Sequence, residues 1–189
     1  FVLGLPLAVA LAGPPASQPA PKEVSLADPP TLGIGIKKGL DWLAQQQQSD
    51  GSFGGGSQYG RHVGITAICS LAFVSEGSVP GRGKYARVVE KGLDFVLQSS
   101  SDQSGLIAAE TSYGPMYGHG FATLFLALAY GEEDDKERRA QMKDVLTRAV
   151  KYIGNAQSTQ GGWFYTSAKD GHDQDEGSVT VTQMQALRA

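Results

Sequence analysis

The sequence predicts an all-α protein, an α/α toroid of helical hairpins, and two observations carry that prediction. One is a stretch that recurs along the chain. At 148–163 it reads RAVKYIGNAQSTQGGW, at 38–53 KGLDWLAQQQQSDGSF, and at 91–107 KGLDFVLQSSSDQSGLI. Each copy has a basic residue, a small residue and, near the middle, an aromatic (Trp42, Phe95, Tyr152); each ends beyond a glycine (Gly51, Gly105, Gly161). A fixed period of this kind marks an array whose units bury their apolar faces against their neighbours. The other observation is an alternation of two helix types. Segments 34–48, 83–99 and 137–157 confine their charges to one side, with Ile36, Leu40 and Leu43 at helical spacing on the other. Segments 62–76, 117–130 and 178–189 are more apolar; Val63 to Val74 and Phe121 to Tyr130 contain no charge at all. A helix without a polar face must be surrounded, and an amphipathic one covers it from outside. Alternation therefore predicts an inner layer of helices inside an outer one.

The recurring stretch resembles the QW repeat of squalene and oxidosqualene cyclases, in the wider terpenoid cyclase and protein prenyltransferase superfamily. The resemblance spans roughly residues 34–189 and rests most fully on Gln157, Gly161, Gly162 and Trp163. It implies a toroid in which Gln157 and Trp163 pack between helices. It also implies an acid-initiated polyprenoid cyclisation, by analogy with a D-x-D-D motif whose middle Asp protonates an alkene. Here Asp173-Gln174-Asp175-Glu176 stands in that place, with Glu for the last Asp and Gly177-Ser178 following.

Taken in order, residues 1–12, FVLGLPLAVALA, read as the apolar core of an export signal, too short to span a bilayer comfortably. The basic region that precedes such a core is missing, so the sequence reads as clipped at its N-terminus. Residues 13–31 carry six prolines and little bulk and read as a linker. The toroid repeats then occupy 32–189 as three hairpins, fewer than that family's toroids close with, so the C-terminus also reads as truncated. The first outer helix is expected at 34–48. Inner segments headed by His62, His119 and Ser178 are expected in register, with Thr66, Thr123 and Thr182 equivalent and likewise Leu71, Leu128 and Leu187. Acids 132–135 favour the start of the third outer helix through its dipole.

Composition narrows the function. The chain has 189 residues and a net charge of −3, with no basic tract, which argues against nucleic acid or an anionic membrane as partner. A single cysteine, Cys69, excludes an internal disulfide framework and a multi-cysteine zinc site, and within its apolar helix it reads as a buried, inert thiol. No phosphate loop, nucleophile elbow or dinucleotide fingerprint is present, so no cofactor is expected.

In a toroid the inner helices run the same way and open at one mouth. The loops feeding that mouth carry Tyr59, Arg61, His62, Tyr113, Tyr117, His119, His172, Asp173, Asp175 and Glu176. Asp173, Asp175 and Glu176 crowd three carboxylates into four residues, a setting that raises at least one pKa and supplies a general acid. Asp175 is the candidate proton donor. The competing reading is a solvated acidic loop that caps the next helix through Ser178. His62 and His119 with Asp175 form a weaker two-His, one-carboxylate metal candidate, against which helix-start histidines packed on tyrosines are the simpler reading.

Three functions follow as expectations for an exported protein, periplasmic or secreted. One is a class II terpene cyclase-like enzyme acting on an isoprenoid. Another is a non-catalytic toroid that binds an extracytoplasmic polymer or protein. The third is a glycan-active α/α-barrel enzyme with paired carboxylates.

Overall fold

The computed structural model describes residues 29–55, 60–109 and 114–189, so the expected signal segment at 1–12 and nearly all of the linker lie outside the described residues. Six α-helices follow in order: α1 (Pro29–Gln45), α2 (Val63–Glu76), α3 (Ala86–Gln98), α4 (Met116–Tyr130), α5 (Lys136–Ala156) and α6 (Gly177–Arg188), with a short 3-10 turn at Ala168–Asp170. The all-α class is thus shown; among the described residues no strand forms, only isolated bridges such as Ser100 with Ile107. The first helix begins at Pro29, ahead of the boundary expected at Leu32. Two prolines open it, where the amide hydrogens they lack have no intrahelical partner.

Caps set several other ends. Asp135 accepts the Arg138 N–H at 2.8 Å to start α5, and buried Glu133 accepts the Asp135 N–H at 2.9 Å, so the acidic run at 132–135 serves the helix start. Gly77 ends α2 in the left-handed region, φ 104°.

The predominantly apolar helices α2, α4 and α6 lie side by side, α4 in the middle. Helix α3 covers α2, and α5 covers α4; α3 only grazes α4, and α1 only grazes α2. Three successive residues of α4 show how its sides are shared. Gly118 lies against Gly64 of α2, His119 against Tyr152 and Ala149 of α5, and Gly120 against Thr182 and Gln183 of α6. Successive residues of a helix turn by about 100°, so three of its four sides are taken. The fourth carries Tyr117, Phe121, Leu124 and Leu128, all half-buried or exposed.

The first two recurring loops are each laid on the next outer helix. A Cβ on Gly51 would sit 2.1 Å from the Lys91 carbonyl oxygen of α3, and one on Gly105 would sit 2.5 Å from the Arg148 carbonyl oxygen of α5. Both glycines have positive φ, 89° and 80°, so backbone conformation and close approach each demand them. Gln47 Nε2 donates to the Gly51 carbonyl at 3.1 Å and to the Val88 carbonyl of α3 at 2.8 Å, joining loop and next helix. Its counterpart Gln157 donates to the Gly161 carbonyl at 2.7 Å but is exposed, contrary to the packed position that the resemblance implied.

The register of the inner helices also differs from the expected one. The fourth residues of α2, α4 and α6 are Thr66, His119 and Thr180. Each accepts the backbone N–H at the end of the preceding loop: Phe53 to Thr66 Oγ1 at 2.8 Å, Ile107 to His119 Nδ1 at 3.0 Å, Trp163 to Thr180 Oγ1 at 3.0 Å. So His119 corresponds to Thr66, not to His62, and Thr123 corresponds to Ser70. An apolar helix offers no charge pattern to fix its phase, and matching histidine to histidine set it one turn off.

Trp163 is 5% exposed and its indole N–H donates to the Ile153 carbonyl at 2.8 Å. Trp163→Ala should lower stability by about 3–5 kcal/mol, read as a shifted denaturation midpoint; an unchanged midpoint would show that the loop is not held by its indole.

Candidate functional site

The candidate acids do not stand as a free cluster. Asp173 accepts the Thr159 N–H at 2.7 Å and the Thr159 hydroxyl at 2.6 Å. Asp175 accepts the Ser158 hydroxyl and packs on Gly162, where a Cβ would come within 2.7 Å of its carboxyl carbon. Glu176 accepts the Val179 N–H at 2.8 Å and the Ser178 hydroxyl at 2.6 Å, capping α6. The Glu176 N–H in turn donates to the Trp163 carbonyl at 2.9 Å. The 172–176 segment therefore folds back along the 158–163 turn and fastens it.

That fastening reverses the expected electrostatics. Hydrogen bonds from Thr159 hold Asp173 below the ordinary carboxylate range, the side-chain bond being the larger cause. The Ser178 hydroxyl, then the Val179 N–H, do the same for Glu176. Crowding raises neither of them, because each carboxylate faces its own donors instead of its neighbours. A group so depressed holds no proton to give near neutral pH.

The two histidines are separated by role and depth. His62 is the N-cap of α2, its Nδ1 accepting the N–H groups of Gly64 at 3.1 Å and Ile65 at 3.3 Å. Burial lowers its pKa. His119 is fully buried. Its Nδ1 accepts the Ile107 N–H, its Nε2–H donates to the Ala149 carbonyl at 3.2 Å, and its ring meets Tyr152 edge-on at 5.0 Å. Both ring nitrogens are thus engaged with backbone, which fixes the tautomer and leaves neither for a metal. Among the described residues no group of His, Cys, Asp and Glu could hold a metal ion. Cys69 is half-buried, and burial pushes its thiol up.

Of the other mouth residues, Arg61 lies over the Phe95 ring at 5.6 Å and pairs with Asp50 at 2.7 Å. Tyr59 and Tyr113 lie outside the described residues. Tyr117 bonds the Ser178 hydroxyl, joining the starts of α4 and α6. It also belongs to an aromatic row that the sequence reading did not assemble: Phe121 stacks on Tyr117 at 6.4 Å, Tyr117 meets Tyr165 at 5.9 Å, Tyr165 meets Phe164 at 4.9 Å, and Phe164 stacks on exposed His172 at 6.3 Å. The signal available was the pair Phe164-Tyr165 directly after Trp163. The row continues along the open side of α4 through Leu124 to Leu128, and Ile68 and Leu71, exposed and half-buried, hold the corresponding positions of α2.

Comparison with protein-family models, curated proteins and solved structures finds no match. What the site can do is therefore read from its own geometry. Among the described residues no helix is long and apolar enough to cross a membrane.

Burial lowers the His119 pKa from 6.5 to about 4, against a smaller opposing effect of the Ala149 carbonyl. The folded state therefore favours neutral imidazole, and its contribution is present above the unfolded pKa and is lost as pH falls from 6.5 toward about 4. The full loss is on the order of 3 kcal/mol. Denaturation midpoints measured across this window should fall in the wild type and fall less in His119→Gln; equal slopes would assign the acid sensitivity to other groups.

Proposed function

We propose that this chain is part of an exported, non-catalytic α/α toroid of the repeat type its sequence resembles, and that the free side of its inner helices binds an apolar, isoprenoid-like ligand. The observation that carries the reading is the stripe on α4. Phe121, Tyr117, Tyr165 and Phe164 form a half-buried aromatic row continuous with Leu124 and Leu128, and neither α2 up to Val74 nor α4 places a charge there. A surface of this composition recognises hydrocarbon through area and aromatic contact. The side-by-side packing of α2, α4 and α6 under α3 and α5 is the arrangement that an inner and outer ring of a toroid would have.

Cyclisation is the weaker reading because its proton donor is missing. Asp173 and Glu176 are depressed by the bonds that hold the loop, and Asp175 is spent on Ser158 and Gly162. A glycan-active enzyme would need paired carboxylates facing a groove, and these three face their own turn.

Titration of the full chain with geranylgeraniol, followed by intrinsic fluorescence, should show saturable binding without conversion of the alcohol. Leu124→Asp should weaken that binding by roughly tenfold or more, because a carboxylate would be driven against hydrocarbon. Absence of binding, or binding indifferent to Leu124→Asp, would overturn the proposed site. Formation of a cyclised product that Asp175→Asn abolishes would restore the enzymatic reading.

A further inference from the structure

We infer that the polar end of the ligand is an uncharged hydrogen-bond donor, a prenyl alcohol in place of a prenyl ether or diphosphate, and that the Tyr117 hydroxyl receives it. The inference rests on the proposed reading of the open side of α4 and names the chemistry of that site's polar end.

The stripe on α4 is polar at one end only. Tyr117 stands in the first turn of the helix, and Phe121, Leu124 and Leu128 follow at helical spacing. At 1.5 Å per residue the stripe is about 16 Å long, and beyond Tyr117 none of these side chains carries a polar atom. An amphiphile lying along it therefore sets its polar group at Tyr117 and its chain toward Leu128. The Tyr117 ring is stacked on Phe121 at 6.4 Å and tilted against Tyr165 at 5.9 Å, and these contacts fix where its hydroxyl sits.

What that hydroxyl can offer is set by a chain of three groups. The Ser178 hydroxyl donates its single proton to Glu176 Oε2 at 2.6 Å, and the Val179 N–H donates to the same oxygen at 2.8 Å. These donors, the hydroxyl first, hold Glu176 below the ordinary carboxylate range, so it is ionised and can only accept. Tyr117 and Ser178 share a further hydrogen bond. With the serine proton committed to Glu176, the proton in that bond is the tyrosine's. The chain thus runs from the Tyr117 O–H to the Ser178 O–H to the Glu176 carboxylate. The tyrosine oxygen is left with lone pairs alone, which makes it an acceptor. An ether oxygen placed there would meet another acceptor, whereas an alcohol has a proton to give.

A diphosphate would be worse placed still. Burial raises the Tyr117 pKa and the charge on Glu176 adds to it, so that charge is felt at the hydroxyl. The 163–178 segment that borders the row also carries Asp170, Asp173 and Asp175, against a single lysine, Lys169. Like charges at this range repel.

Intrinsic-fluorescence titrations of the full chain with geranylgeraniol, its methyl ether and geranylgeranyl diphosphate test the inference. The alcohol should bind roughly tenfold tighter than the ether, the scale of one hydrogen bond, and tighter again than the diphosphate. Tyr117→Phe keeps the ring and its stacking. It should erase the preference by lowering affinity for the alcohol alone, with unchanged ether binding as the sign that the variant is folded. Equal binding of alcohol and ether by the wild type, a preference that survives Tyr117→Phe, or diphosphate bound as tightly as alcohol would each overturn the inference. Each of these leaves the apolar stripe standing wherever Leu124→Asp still weakens the ether. No binding of any of the three would overturn the stripe itself, and the inference with it.

Discussion

The structure depends on one contact, a glycine turn laid against the backbone of the following outer helix. At Gly51 and Gly105 there is no room for a Cβ, and the neighbour is a carbonyl oxygen that cannot move aside as a side chain could. This contact sets how far each outer helix stands from the preceding loop. With that spacing fixed, Phe53 and Ile107 reach the fourth residue of the inner helices, and their amides find Thr66 and His119, as the Trp163 amide finds Thr180. The two layers are held in step by backbone geometry, and apolar burial then fills the space between them.

His119 shows what the arrangement costs and gains. Its equivalents in α2 and α6 are threonines, which offer one acceptor to the loop amide. Histidine offers that acceptor and also a donor to the Ala149 carbonyl, so α4 is tied to loop and outer helix together. The imidazole must stay neutral to do this, since protonating Nδ1 would set two donors face to face at Ile107. The central helix is thereby the one whose attachment depends on pH.

Helix type and approximate extent were legible in the sequence, because charge confined to one face and charge absent altogether are strong signals over a dozen residues. The recurrence of Gly51, Gly105 and Trp163 was legible too, since glycine at positive φ and a buried indole leave residue identities behind. Phase was not. In α2 and α4 nearly every position is apolar or small, so no pattern says which residue faces which neighbour, and the alignment fell on His62 and His119 although one is a cap and the other is core. The acids misled for a related reason. Proximity along the chain suggested mutual repulsion among Asp173, Asp175 and Glu176, while the fold turned each toward a hydroxyl or amide of the 158–163 turn or of α6. The aromatic row was hidden because Tyr117 and Tyr165 meet only after the loop closes.

The loop-on-helix contact also orders the molecule by how readily its parts open. Each seam joins only adjacent units, so opening one seam leaves the next intact, and stability is graded along the array instead of shared equally. Helix α4 is clasped by α2, α5 and α6 and should be the last to exchange its amide hydrogens, whereas α1 and α6 are each held on fewer sides. The Gly51 seam is closed by Gln47 as well as by its glycine, and the Gly105 seam, with Ser100 in the glutamine's place, by its glycine and an ion pair from Arg148 to Asp102 at 2.9 Å. One seam is thus fastened by a neutral amide and the other by a surface ion pair, and only the second loosens as salt is added.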